Sequence, residues 1–234
     1  MGAAMANSFA PSRAVIFDMD GVLVDGEPLH FAAARDVLAA QGATLDWDTY
    51  RHWIGETFDT IWPDIQSRFG LALSRATYEQ AFGPLVQAQY EQHATALPGA
   101  AELLARLQAA GVPLGLASST KRTRVDAGLQ RLDFERYFQV TVAGDEVLRG
   151  KPAPEIYQAA ATRLGLAPEH CLVLEDSRAG VAAGRAAGAQ VVGVRYPAGA
   201  ADALAEADRT IESLSEFDLA WVVTRQRRGA GAGV

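Results

Sequence analysis

Through the second half of the chain, short apolar runs at 112–117, 138–142, 171–174 and 191–194 alternate with segments of helical spacing at 100–110, 122–129, 155–164 and 179–187. Several helical segments close on glycine, a common helix stop. Strands and helices in alternation build a parallel sheet covered by helices on both faces. The run 14–17 matches these strands in composition and joins them. From 28 to about 96 no period-two stretch occurs. Apolar residues recur there at Phe31, Ala34 and Leu38, then at Phe82, Leu85 and Val86, the spacing of amphipathic helices. The chain therefore reads as an α/β protein: a Rossmann-like doubly wound parallel sheet core formed by 14–25 and 97–222, with a small α-helical bundle of 26–96 inserted after the first strand. Crossings are expected near 26–29 and 97–99, and 1–13 and 223–234 are expected to be flexible ends.

The insertion begins just behind two carboxylates. Val15-Ile16-Phe17-Asp18-Met19-Asp20-Gly21 ends an apolar strand in Asp18 and Asp20, and residues two apart share a face of an extended chain. Gly21 then lets the backbone turn sharply. Paired acids can divide labour, one attacking as a nucleophile or holding a cation while the other moves a proton. A calcium loop would need a third oxygen ligand before the glycine, and none is present. A plain β-turn would also use Asp and Gly. Flanking Val15-Ile16-Phe17 and Val22-Leu23-Val24, however, set these acids in a buried context, where unpartnered charge is costly.

Ligands of open parallel sheets bind beyond the carboxyl ends of the strands. Asp18 and Asp20, Ser118, Ser119 and Thr120, Asp145, and Glu175 and Asp176 all follow predicted strands, so they should gather at one edge. Asp18, Asp20, Glu175 and Asp176 suit a hard cation such as Mg²⁺. Ser118 or Ser119 offers a hydroxyl and backbone amides at a helix start, where an anion binds readily. Only two of the 21 basic residues are lysines, Lys121 and Lys151. Lys151 precedes a Pro-rich turn into a helix and can project an ammonium beside the acids. A phosphate dianion would be repelled by four acids unless a cation neutralised them, so metal dependence follows from the same residue set.

Composition narrows the partners. At 234 residues and 49% hydrophobic, the chain can bury a sizeable core. No apolar run reaches the roughly 20 residues of a membrane span. The net charge of −7 argues against nucleic acid or an anionic membrane as partner. Arg225-Gln226-Arg227-Arg228, the one basic cluster, lies in a Gly/Ala-rich tail expected to be solvated. Cys171 is the sole cysteine, so no internal disulfide forms. A soluble cytoplasmic protein acting on a small phosphorylated metabolite is expected; its oligomeric state is open, with a monomer one possibility.

Asp18-Met19-Asp20-Gly21-Val22, Ser118, Lys151-Pro152 and Glu175-Asp176-Ser177 resemble the four successive motifs of the haloacid dehalogenase-like superfamily, over nearly the whole chain. Gly180-Val181-Ala182-Ala183-Gly184 and the helical insertion resemble its β-phosphoglucomutase-like branch, which carries a four-helix cap. The resemblance implies that Asp18 attacks phosphorus in line to form an aspartyl-phosphate. Asp20 would protonate the leaving oxygen and then activate water. It further implies that Ser118 and Lys151 hold the phosphoryl oxygens. Mg²⁺ would be bound by Asp18, the Asp20 carbonyl and Asp176, with Glu175 acting mainly through water.

Within the superfamily, dehalogenases lack the second aspartate, and phosphonate hydrolases of similar design use a cap lysine that this insertion does not contain. Two reactions are left: phosphomonoester hydrolysis and a phosphohexomutase reaction. His30 stands where the mutase branch has a cap-entrance histidine, and Thr120-Lys121 resembles its second phosphate contact. Against the mutase, the cap loop reads Ile54-Gly55-Glu56-Thr57-Phe58, with no lysine before the glycine and Phe58 where the branch has an arginine. A phenyl ring cannot replace a guanidinium fork. A sugar-phosphate phosphatase is therefore the favoured reading. Glu27, His30, Trp53, Gly55, Glu56, Thr57 and Phe58 are candidate cap contacts to substrate; His30 alone would equally fit a helix surface. Trp47 and Trp62, with Trp53, also fit a cap core. A catalytically silent binding protein of this fold would be expected to lack Asp18, Asp20, Lys151 or Asp176, and all four are present.

Overall fold

The computed structural model describes residues 12–56, 58–200 and 202–222. Six parallel strands form one sheet in the order β3-β2-β1-β4-β5-β6. They are β1 (Ala14–Phe17), β2 (Leu114–Ser118), β3 (Val140–Ala143), β4 (Cys171–Glu175), β5 (Gln190–Val194) and β6 (Arg209–Ile211). Period two divides β1 between two cores. Val15 and Phe17 pack into a cluster with Leu103, Leu107 and Val125, while Ala14 and Ile16 pack with Ile156, Tyr157, Ala160 and Val181. Those partners lie on α5 (Ala100–Ala109) and α6 (Arg122–Leu132) on one face, and on α7 (Glu155–Arg163) and α8 (Arg178–Ala187) on the other. Every residue of β1 is fully buried, as a central strand covered on both faces must be.

The helical insertion runs from α1 (Glu27–Ala39) through α2 (Trp47–Tyr50) and α3 (Phe58–Phe69) to α4 (Arg75–His93). It has its own apolar cluster, including Ala34, Leu38, Trp53, Ile65 and Tyr78. Asp46 and Ser74 cap α2 and α4, their side-chain oxygens accepting from the Thr49 and Thr77 amides at 2.7 and 3.2 Å. Helix α4 belongs to both clusters: Tyr78 packs within the bundle, whereas Val86 and Tyr90, two and three turns on, pack into the sheet core. The two crossing segments lie side by side, the Asp25 amide donating to Thr95 O at 3.0 Å and the Leu97 amide to Leu23 O at 2.9 Å.

Several boundaries differ from the sequence pattern for physical reasons. The run expected at 112–117 becomes a strand only from Leu114, because Pro113 has no amide to give the ladder. Strand β6 is not apparent in the pattern. It is three residues long, lies at the sheet edge, and buries only Ile211. Ser12, within the stretch expected to be a flexible end, is buried and bridges to Val222, its amide donating to Trp221 O at 2.9 Å. Thr57 and the Arg225–Arg228 cluster lie outside the described residues.

Candidate active site

Strand register gathers the candidate residues. Phe17 pairs with Leu116 on one side and Leu174 on the other, which sets Asp18 level with Ala117 and Glu175 at the carboxyl ends of three neighbouring strands. The Asp18 amide donates to Leu174 O at 3.0 Å. The strand order reverses between β1 and β4, the switch point beside which open parallel sheets bind ligands.

At the centre lies Lys151 Nζ. It donates to Asp18 Oδ1, to Glu175 Oε1 at 2.6 Å and to Ala117 O at 3.2 Å. All three donors of the ammonium are thereby used, and its single charge is shared between two acids buried to a tenth exposure or less. Glu175 is fully buried and saturated. Tyr157 OH donates to Oε1 at 2.6 Å, while the Asp176 amide, the Ser177 amide and Ser177 Oγ converge on Oε2 at 3.0–3.1 Å. Burial pushes its pKa up, but Lys151 and these donors prevail and hold it below the usual glutamate range.

Asp18 and Asp176 are left under-compensated. Burial drives Asp18 above the usual aspartate range despite Lys151, and burial with the charges of Glu175 and Asp18 drives Asp176 well above it. Ligand oxygens of Asp18, Glu175 and Asp176 lie within 4.8 Å of one another. The Asp176 carboxylate fills the space that a side chain on Gly21 would take, since a Cβ there would stand 2.0 Å from Asp176 Oδ2. Gly21 also has φ +83°, so the turn and the packing both select glycine. A buried oxygen cluster carrying more negative charge than Lys151 can balance is the donor set a hard divalent cation fits.

The Asp20 carboxylate is not part of that cluster. Tyr90 OH donates to its Oδ1, and Thr120 Oγ1 donates to its Oδ2 at 3.1 Å. Burial raises its pKa against both hydrogen bonds. Ser118, almost fully buried, accepts from the Thr120 amide at 3.1 Å. Ser119 is exposed beside it, and exposed Lys121 starts α6.

Among the cap candidates, His30 is partly buried, its Nε2 lying 3.0 Å from Tyr90 OH and its ring meeting Phe82 and Tyr90. Burial lowers its pKa. Glu27 accepts from Tyr50 OH at 2.7 Å, and burial raises its carboxyl. Gly55 has φ +82° in open space and Glu56 is exposed. Trp53 and Trp62 pack in the bundle, whereas Trp47 is 38% exposed. Phe58 stacks on Tyr78 with ring centroids 5.7 Å apart and carries Arg75 over its ring at 4.9 Å.

A family model described as haloacid dehalogenase-like hydrolase matches residues 12–188, which include all four motif positions. The chain belongs to the haloacid dehalogenase-like hydrolase family. It is 36% identical over 196 residues to a phosphorylated carbohydrates phosphatase of Thermotoga maritima, covering 83% of this chain and 91% of that one. It is 38% identical over 197 residues to the protein CbbY of Rhodobacter capsulatus, covering 77% and 84%. The crystal structure of CbbY from Rhodobacter sphaeroides in complex with phosphate superposes with a TM-score of 0.76 at 30% identity, covering 88% of this chain and 96% of that one. Tyr90, Tyr157 and Tyr50 are site residues that the motifs do not mark. Tyr90 was accessible from the pattern: it lies eight residues after Phe82 and four after Val86 on one buried helix face, where a phenol needs a partner.

Proposed function

We propose that this chain is a Mg²⁺-dependent phosphatase that hydrolyses a small phosphorylated metabolite, a sugar phosphate or a near relative, through an aspartyl-phosphate on Asp18. The observation that carries the reading is the meeting of Asp18, Lys151, Glu175 and Asp176 at the switch point of the sheet. The phosphatase name of the Thermotoga relative supports the reaction class. Asp18, the Asp20 carbonyl and Asp176 would hold Mg²⁺, with Glu175 behind them. Bound there, the cation supplies charge neutralisation between the carboxylates and the phosphoryl group.

Asp18 serves as the nucleophile through a carboxylate oxygen, while Lys151 and Ser118 receive the phosphoryl oxygens. Phosphoryl transfer needs chiefly positioning and neutralisation; Ser118 ends β2, and Lys151 is held from its turn by hydrogen bonds to Ala117 O and Glu175. Asp20, two residues on, gives a proton to the leaving oxygen and then takes one from the water that opens the acyl-phosphate. The domain division follows: 14–25 and 97–222 carry the chemistry, and 26–96 covers it and sets the choice of substrate.

The packing of Phe58 favours hydrolysis over the mutase reaction. Its ring is committed to the aromatic cluster of the bundle and supplies no guanidinium, and the Arg75 that lies over it is already paired with Asp59 and Glu79 rather than free to hold a second phosphate during reorientation. The test is phosphate release from a panel of phosphorylated sugars, polyols and glycolate, with Mg²⁺ or with EDTA, and with Asp18→Asn as control. Metal-dependent release lost in the variant is expected. Rapid conversion of β-glucose 1-phosphate to glucose 6-phosphate with little free phosphate would overturn it.

A further inference from the structure

Glycine at position 26 has no conformational reason to be there. Its backbone is ordinary right-handed helical, φ −81° and ψ −28°, which any residue adopts. What requires it is space: a Cβ on Gly26 would stand 2.3 Å from Asp20 Oδ1 and 2.9 Å from Asp20 Cγ. The carboxylate therefore occupies the volume of a missing side chain, and Tyr90 meets it in that seat. The phenol is fully buried, and its one hydrogen goes to Asp20 Oδ1. His30 must then donate its Nε2–H to the phenol oxygen, so a chain His30–Tyr90–Asp20 runs from the insertion to the sheet edge. A second glycine makes room for the ring. Gly128 sits inside α6, where glycine costs about 1 kcal/mol relative to alanine, and a Cβ there would come 3.3 Å from Tyr90 Cδ1.

We propose that Tyr90 is the positioning residue of Asp20, and that Gly26 is its steric counterpart, leaving open the seat in which the phenol fixes the carboxylate. The inference rests on the phosphatase reading. With Tyr90 on Oδ1 and Thr120 on Oδ2, the carboxyl group cannot rotate freely, and its remaining lone pairs keep one direction toward the leaving oxygen. A loosened Asp20 would serve poorly as proton donor to an alkoxide. A leaving group that needs no proton would depart almost as before.

The experiment compares kcat/KM for p-nitrophenyl phosphate with that for the most rapidly hydrolysed alkyl ester among glucose 6-phosphate, glycerol 3-phosphate and phosphoglycolate. This ratio reports steps up to departure of the leaving group and is insensitive to later hydrolysis of the phosphoenzyme. In Tyr90→Phe the alkyl ester should lose about 10- to 100-fold, within the range of general acid catalysis, while p-nitrophenyl phosphate changes less than about threefold. Gly26→Ala, which leaves the phenol in place but fills the seat, should show the same selective loss. The double variant should be no worse than the more impaired single one, since both remove one interaction. If Tyr90→Phe does not fold, Gly26→Ala carries the comparison. Equal losses on both esters, no loss on the alkyl ester, or multiplying losses in the double variant would overturn the positioning role and leave the phosphatase reading standing. No phosphate release by the unaltered protein from any ester would overturn both.

Discussion

Glu175 rests against the bare Cα of Gly180: a Cβ on that glycine would stand 1.7 Å from Glu175 Oε1 and 2.1 Å from Oε2. Helix α8 thus approaches β4 closely enough for the carboxylate to collect Tyr157, Ser177 and Lys151 at once. Gly180→Ala should therefore act at a distance on the ammonium that Glu175 holds. A loss of about 2–4 kcal/mol in urea unfolding is expected, since a buried hydrogen-bonded charge network is broken. Phosphatase activity should fall with it. Unchanged unfolding and activity would show that Glu175 does not need this approach.

Among the described residues, Lys151 is the one cation paired with Asp18 and Glu175, so its removal leaves buried carboxylates facing each other. Lys151→Met should destabilise the metal-free protein by about 3–5 kcal/mol, the usual cost of breaking a buried ion pair from one side. Activity should drop by about 10²- to 10³-fold, as for loss of a preorganised charge at a reacting centre. Chemical unfolding in EDTA, with a phosphate-release assay in Mg²⁺, checks both.

Mg²⁺ binding should be visible without turnover. A cation that binds the folded protein at a hundred times its Kd adds about 2.7 kcal/mol of stability. A rise in melting temperature with Mg²⁺ is expected in the unaltered protein and should be abolished in Asp176→Asn. An equal rise in both would place the cation elsewhere.

Glu146 gives a pH test outside the carboxylate cluster. Burial pushes its carboxyl up, but hydrogen bonds from Arg122, Arg163 and the Ala143 amide outweigh this and lower it from 4.5 to about 2. The folded pKa lies below the unfolded one, so its contribution is complete above about pH 4.5 and disappears as pH falls toward 2. Its side chain is 27% exposed, and screening trims the worth to about 1 kcal/mol at pH 7. Glu146→Gln should be less stable by that amount at neutral pH and converge with the unaltered protein in acid.

The strands that carry the motifs were readable because both their faces are buried, giving continuous apolar runs that end in polar residues. Asp18, Ser118 and Glu175 could be placed from those runs alone. Strand β6 could not, since an edge strand with one buried residue leaves almost no pattern. The motif positions also say nothing of Tyr90, 70 residues from Asp20, or of Tyr157, 18 from Glu175. Helical spacing can mark Tyr90 as buried, but the partner each phenol takes is a tertiary contact that local spacing does not encode. Nothing in the sequence marks Gly26, because its reason lies in the position of another side chain. His30 was ambiguous because one histidine on a helix fits a surface or a substrate contact equally until its neighbour is known.

The most direct measurement is rapid acid quench of Asp20→Asn mixed with p-nitrophenyl phosphate and Mg²⁺, followed by peptide mass spectrometry. The variant keeps the nucleophile but lacks the group that activates water. A phosphoryl adduct on the peptide containing Asp18, sensitive to hydroxylamine and absent from Asp18→Asn, is expected. No adduct on that peptide while p-nitrophenol is released, or an adduct on a different residue, would contradict the assignment of Asp18 as the nucleophile.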